Sequence, residues 1–113
     1  MHDTNLDFPR TFELIGRPKF EEMFMEELQD QESELDLGRY CERGGFPDPE
    51  SVELELESVT PTDQGCVVRV KCKFDEAVAT SCADVRFDHP ALVMFDVALD
   101  VKTETAHVKY QAA

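Results

Sequence analysis

The sequence predicts an α+β fold in which one main N-terminal amphipathic helix packs on an antiparallel sheet of four or five strands. Three observations carry that expectation. Apolar residues recur at helical spacing between Phe20 and Leu35, the hydrophobic period changes to two from Ser51 onward, and no helix-sized stretch alternates with the strand-like segments as a parallel sheet would require.

The chain has 113 residues, the size of one ordinary domain that can bury a core without staples. It divides into a loose polar N-terminal arm over 1–10, a mainly helical part over 11–43 and an antiparallel sheet over 51–110. Phe12 and Leu14 leave room for a short edge strand from Thr11 to Ile15, after which Gly16 and Pro18 punctuate. The helix is expected from Pro18 to Asp36. Proline suits a first turn, whose N–H groups lack helical acceptors, and Glu21 and Glu22 favour the positive end of the helix dipole. On a 3.6-residue wheel Phe20, Met23, Phe24, Leu28 and Leu35 share one side. Glu27 and Gln31 fall inside that arc, a local inconsistency of the kind that sometimes marks a site. The simpler reading lets Glu27 bend its carboxylate to the rim, because buried carboxylates without partners are rare.

Leu37, Tyr40 and Cys41 suggest a second short helix or a continuation broken at Gly38. Gly44-Gly45 and Phe46-Pro47-Asp48-Pro49 then form a loop between the two halves. Val52, Leu54 and Leu56 alternate with Glu53, Glu55 and Glu57, and Val68, Val70, Cys72 and Phe74 alternate with Arg69, Lys71 and Lys73. Pairing Thr60 with Cys66 sets Glu57 against Arg69, Glu55 against Lys71 and Glu53 against Lys73, so one register satisfies both faces of the hairpin. Ala83, Val85 and Phe87 indicate a third strand ending in a turn at His89-Pro90. Val93, Phe95, Val97, Leu99 and Val101 form the clearest strand signal. Ala106, Val108 and Tyr110 then resume on the other parity, through either a tight turn near Thr103-Glu104 or a bulge in one long strand.

A helix followed by antiparallel strands is similar in element order to the cystatin and NTF2-like architectures. No motif of either family stands in the sequence, so the likeness is architectural and implies no function.

Charge is the strongest functional signal. The formal net charge is -14, and residues Glu21 to Asp36 carry eight carboxylates without a Lys or Arg. Such a surface repels nucleic-acid phosphates and anionic lipid, which argues against direct nucleic-acid or membrane binding and for a basic protein partner. The first expectation is therefore a small acidic, non-enzymatic interaction module that presents Glu22, Glu26, Asp30, Glu34 and Asp36 to that partner. A second is a small-ligand pocket or enzyme between helix and sheet, using Glu27, Asp96 and His107. A third is generic acidity in a salt-adapted host, where charge serves solubility.

No cofactor or metal signature is present. Leu35 occupies the position where a calcium loop needs glycine, no closely spaced cysteine knuckles exist for zinc, and Gly44-Gly45 lacks the lysine of a phosphate loop. Cys66 and Cys72 share a face with Val68, Val70 and Phe74 and read as small core residues, whereas Cys82 with His89 is a remote nucleophile pairing. The N-terminus has no signal-like apolar run, and no segment is long enough to span a bilayer, which points to the cytoplasm.

Overall fold

The computed structural model describes residues 6–79 and 86–111. A short helix α1 (Pro9–Glu13) leads into α2 (Phe20–Asp30), and two 3-10 turns follow at Glu32–Glu34 and Gly38–Tyr40. Five strands follow among the described residues: β1 (Phe46–Pro47), β2 (Glu53–Pro61), β3 (Gly65–Ala79), β4 (Arg86–Asp100) and β5 (Thr105–Gln111). They form one antiparallel sheet in which β1 and β2 share one edge of β3, and β4 and β5 follow on the other. The fold is thus a mixture of helices and antiparallel sheet, roughly α+β.

The inner face of the sheet carries Cys66, Val68, Val70, Cys72 and Phe74 of β3 and Val93, Phe95, Val97 and Leu99 of β4, all buried. Phe20, Phe24 and Leu28 of α2 join the same core. The helix is shorter than its amphipathic pattern, stopping at Asp30 rather than Asp36. Leu35 and Leu37 are both buried, and residues two apart do not share a helix face, so an unbroken helix would leave one of them in water.

The N-terminal segment corrects two expectations. Its described part is not a loose arm: Leu6 and Phe8 are buried, and the Phe8 ring stacks on Phe24 at 4.9 Å between centroids. Nor is Thr11–Ile15 a strand. Pro9 opens α1, where its missing N–H has no helical acceptor to lose.

The β2–β3 register begins as expected, with Glu53 opposite Lys73 and Glu55 opposite Lys71. It then slips at a bulge between Leu56 and Ser58, so Ser58 faces Arg69 and Pro61, not Thr60, faces Cys66. The slip has a side-chain cause. Without the extra residue Ser58 would take the inner position after Leu56; with it, half-buried Val59 does.

The expected turn at His89-Pro90 does not exist, because β4 runs straight through it, while Ala83 and Val85 lie outside the described residues. A proline is tolerated mid-strand for a reason found in β3. The Asp75 amide donates to Ser51 Oγ at 2.8 Å and its carbonyl accepts from the Asp48 amide at 2.9 Å, both on the β1–β2 side. Pro90 is its cross-strand partner, so the proline nitrogen points away from β3. Among the described residues β5 pairs with β4 on that side from Met94 to Asp100 and not at Pro90, so the proline costs no bond to β3. The choice between tight turn and bulge after Asp100 resolves as a turn: Glu104 adopts φ 52, and Asp100 Oδ1 accepts the Lys102 amide at 2.9 Å.

Candidate interaction surface

Glu22, Glu26 and Asp30 stand four residues apart on α2, and all three are exposed on the side away from Phe20, Phe24 and Leu28. Like charges at this spacing weaken a helix by about 0.2–0.5 kcal/mol per pair. Asp30 also sits at the negative end of the dipole, and the last turn holds no basic residue. Among the described residues none of these three carboxylates, nor Glu34, forms an ion pair.

The expected five-residue acidic helix face is not continuous. Glu34 belongs to a 3-10 turn beyond α2, and Asp36 to a tight turn after it, where the Leu37 amide donates to the Leu35 carbonyl at 2.9 Å. Asp36 is half-buried; its amide donates to the Tyr110 hydroxyl at 2.9 Å, and Arg39 stands 3.9 Å from its Oδ2. That oxygen is buried without a hydrogen bond among the described residues, so the ion pair is its one polar contact and a long one.

The two polar residues inside the apolar arc of α2 hold the N-terminal segment. Glu27 Oε1 accepts from both the amide and the hydroxyl of fully buried Thr11, each at 2.7 Å, and Oε2 accepts the Arg10 amide at 3.4 Å. These amides belong to the first turn of α1, which has no acceptor of its own, so the carboxylate caps that helix from a distance. Gln31 pairs with the backbone of Asp7 in both directions, accepting its amide at 2.7 Å and donating to its carbonyl at 2.5 Å. The rim reading of Glu27 is thereby corrected, since the carboxylate lies inward and has partners.

Glu27, Asp96 and His107 are not brought together. Glu27 lies in the helical layer. Asp96 sits on the outer face of β4, where it receives Arg69 Nε at 2.9 Å, Arg69 Nη2 at 3.3 Å and Gln111 Nε2 at 2.9 Å. Hydrogen bonding and charge from Asp96 raise the Arg69 pKa above its ordinary value. His107 pairs with Ala98 on that same outer face and is exposed.

Sequence reasoning passed over Glu76. It follows Phe74 on the inward parity of β3, is buried, and its Oε2 accepts the amides of Arg43 at 3.0 Å and Gly45 at 2.8 Å. The signal was present as a carboxylate in step with five apolar residues, next to a Gly-Gly loop with spare N–H groups. His89 is its cross-strand partner. The two line a cleft of about 420 Å³ with Tyr40 and Arg43.

The described cysteines are free thiols. Burial, reinforced by Glu32, pushes the Cys72 pKa up to about 12, and burial raises that of Cys66. Cys41 is raised by burial and by the charge of Glu76. These thiols stay protonated near neutrality, the wrong state for a nucleophile. Cys82 lies outside the described residues, and among those described no three His, Cys, Asp or Glu side chains gather to hold a metal ion. In comparisons with known proteins, no protein-family profile, no curated protein and no solved structure matches this chain.

Proposed function

We propose that the protein is a small, non-enzymatic interaction module that binds a basic protein through the acidic stripe Glu22, Glu26 and Asp30, with Glu34 and Asp36 extending the negative patch. The observation that supports this reading is a helix that keeps three mutually repelling, exposed carboxylates with no ion pair among the described residues. A partner's cations would relieve that repulsion. Association would be steered by charge and would weaken steeply with salt. The two buried carboxylates favour the non-enzymatic side of the reading, because Glu27 and Glu76 are occupied by backbone amides of loops they hold in place. The alternative built on Glu27, Asp96 and His107 has less support, given their separation across the sheet.

The chain is read as one domain of the cytoplasm; three free thiols fit a reducing compartment, and no helix among the described residues is long and apolar enough to cross a membrane. The likeness to cystatin and NTF2-like architectures stays a reading of the sequence pattern, on which no function rests.

The test is a low-salt pull-down from native lysate, with stepwise salt elution, using the wild type and the triple variant Glu22→Lys, Glu26→Lys, Asp30→Lys. One dominant basic protein, released at a defined salt step and lost from the folded variant, supports the reading. A smear of unrelated basic proteins, or equal capture by the variant, identifies the acidity as generic.

A further inference from the structure

A cleft of about 340 Å³ opens between the α1–α2 turn and the end of the β2–β3 hairpin. Its floor is core. Phe20 and Cys66 both line it and both are buried, with half-buried Ile15 and Val59 beside them. Burial raises the Cys66 pKa, so the thiol at the floor is uncharged near neutrality. Small-molecule sites have this make-up, an apolar lining around about 300–1,000 Å³ with a few polar groups that fix orientation.

The described lining holds two charged residues, Arg17 and Glu21, both exposed. They stand four residues apart, a spacing at which ion pairs form on helices, yet neither forms one among the described residues. Lys19, Glu22 and Asp63, the charges that flank these segments in the chain, do not line the cleft. The cleft therefore presents one cation and one anion, not neutralised by each other, above an apolar floor.

That pairing selects the occupant. An ion of either sign would meet its like charge as well as its opposite. A molecule with both charges on one carbon meets each with its complement, and an apolar side chain on the same carbon can reach Phe20 and Cys66. A peptide terminus supplies only one of the two charges.

We infer that this cleft is a binding site for a free apolar α-amino acid, its carboxylate on Arg17, its ammonium on Glu21 and its side chain on the floor of Phe20 and Cys66. The site is separate from the acidic stripe of α2.

The experiment titrates the full chain with L-leucine, leucinamide, N-acetyl-L-leucine and glycine, followed by amide NMR shifts and calorimetry. Saturable binding of L-leucine is expected, with a dissociation constant below about 1 mM and shifts at Val59 and Cys66. Each of the other three lacks one feature, the carboxylate charge, the ammonium or the side chain, and should bind at least about tenfold more weakly, as loss of a contact to a charged group or of apolar burial entails. Arg17→Gln should abolish the preference for L-leucine over leucinamide, and Glu21→Gln the preference over N-acetyl-L-leucine. Both replace exposed side chains, and unchanged urea unfolding will show that the fold is kept. The inference is overturned by absence of saturable binding up to about 10 mM, by an analogue that binds as tightly as L-leucine, by a preference that survives its variant, or by shifts that leave Val59 and Cys66 unmoved.

Discussion

Glu27 Oε1 accepts both the amide and the hydroxyl hydrogen of Thr11, at 2.7 Å each, across 16 residues of chain. This contact joins α1 to α2 in a buried setting, and it accounts for a glutamate on the apolar side of an amphipathic helix. Hydrogen bonds to a charged group contribute about 1.5–3 kcal/mol, more than neutral ones. Glu27→Ala should destabilise the protein by about 2–3 kcal/mol in urea unfolding, and Thr11→Val by less, because its amide bond survives. A double-mutant cycle should return a coupling of at least about 1 kcal/mol; additive losses would show that the two residues act separately.

The loop before β1 depends on close approach. A Cβ at Gly45 would stand 2.2 Å from the Ala77 carbonyl oxygen, a backbone atom that cannot swing aside. Gly45→Ala should therefore cost about 1–3 kcal/mol, as overpacking does, and lower the melting temperature accordingly.

Glu76→Gln removes the charge that the Arg43 and Gly45 amides hold and that raises the Cys41 pKa after burial has done so. The variant should alkylate faster at Cys41, measured by mass spectrometry of the Cys41 peptide with iodoacetamide. An unchanged rate would leave burial as the sole cause.

Cys72 gives stability a dependence on alkaline pH. Its thiol ionises near 9.0 when exposed and near about 12 in the fold, so the folded state keeps a proton that the unfolded chain has lost. The contribution is complete below pH 9 and declines as pH rises toward 12, at about 1.4 kcal/mol per pH unit. Urea unfolding at pH 8, 9 and 10 should show the wild type losing more stability than Cys72→Val, the comparison cancelling titrations common to both. Parallel losses would refute it.

The β2 bulge makes an unusual deletion tolerable. Removing Glu57 leaves Leu56 opposite Val70 and Ser58 opposite Arg69, restoring unbroken alternation with Val59 still inward. Its stability should stay within about 1 kcal/mol of wild type. Removing Glu55 instead turns Leu54 to the outer face and should cost about 1.5 kcal/mol or more from lost burial. Equal losses in the two deletions would mean that the bulge is not a side-chain accommodation.

The sequence by itself determined what short-range periodicity can carry: the apolar stripe of α2, the inward alternation of β3 and β4, the start of the β2–β3 register at Glu53 and Lys73, and the acidic stripe. These follow from backbone geometry within a few residues. Tertiary structure alone decided where the long-range partners lie. Glu27 and Gln31 look misplaced until residues 7–11 arrive beside them, and Glu76 looks like an ordinary strand carboxylate until the Arg43 and Gly45 amides meet it. Pro90 reads as a turn because proline cannot donate, yet it sits in a strand because its nitrogen faces away from β3, on a side where no described residue pairs with it. The bulge in β2 follows the same logic, since whether Ser58 or Val59 is turned inward depends on the core it meets. A buried polar group is accepted or rejected by partners far away in the chain, and local pattern contains no record of them.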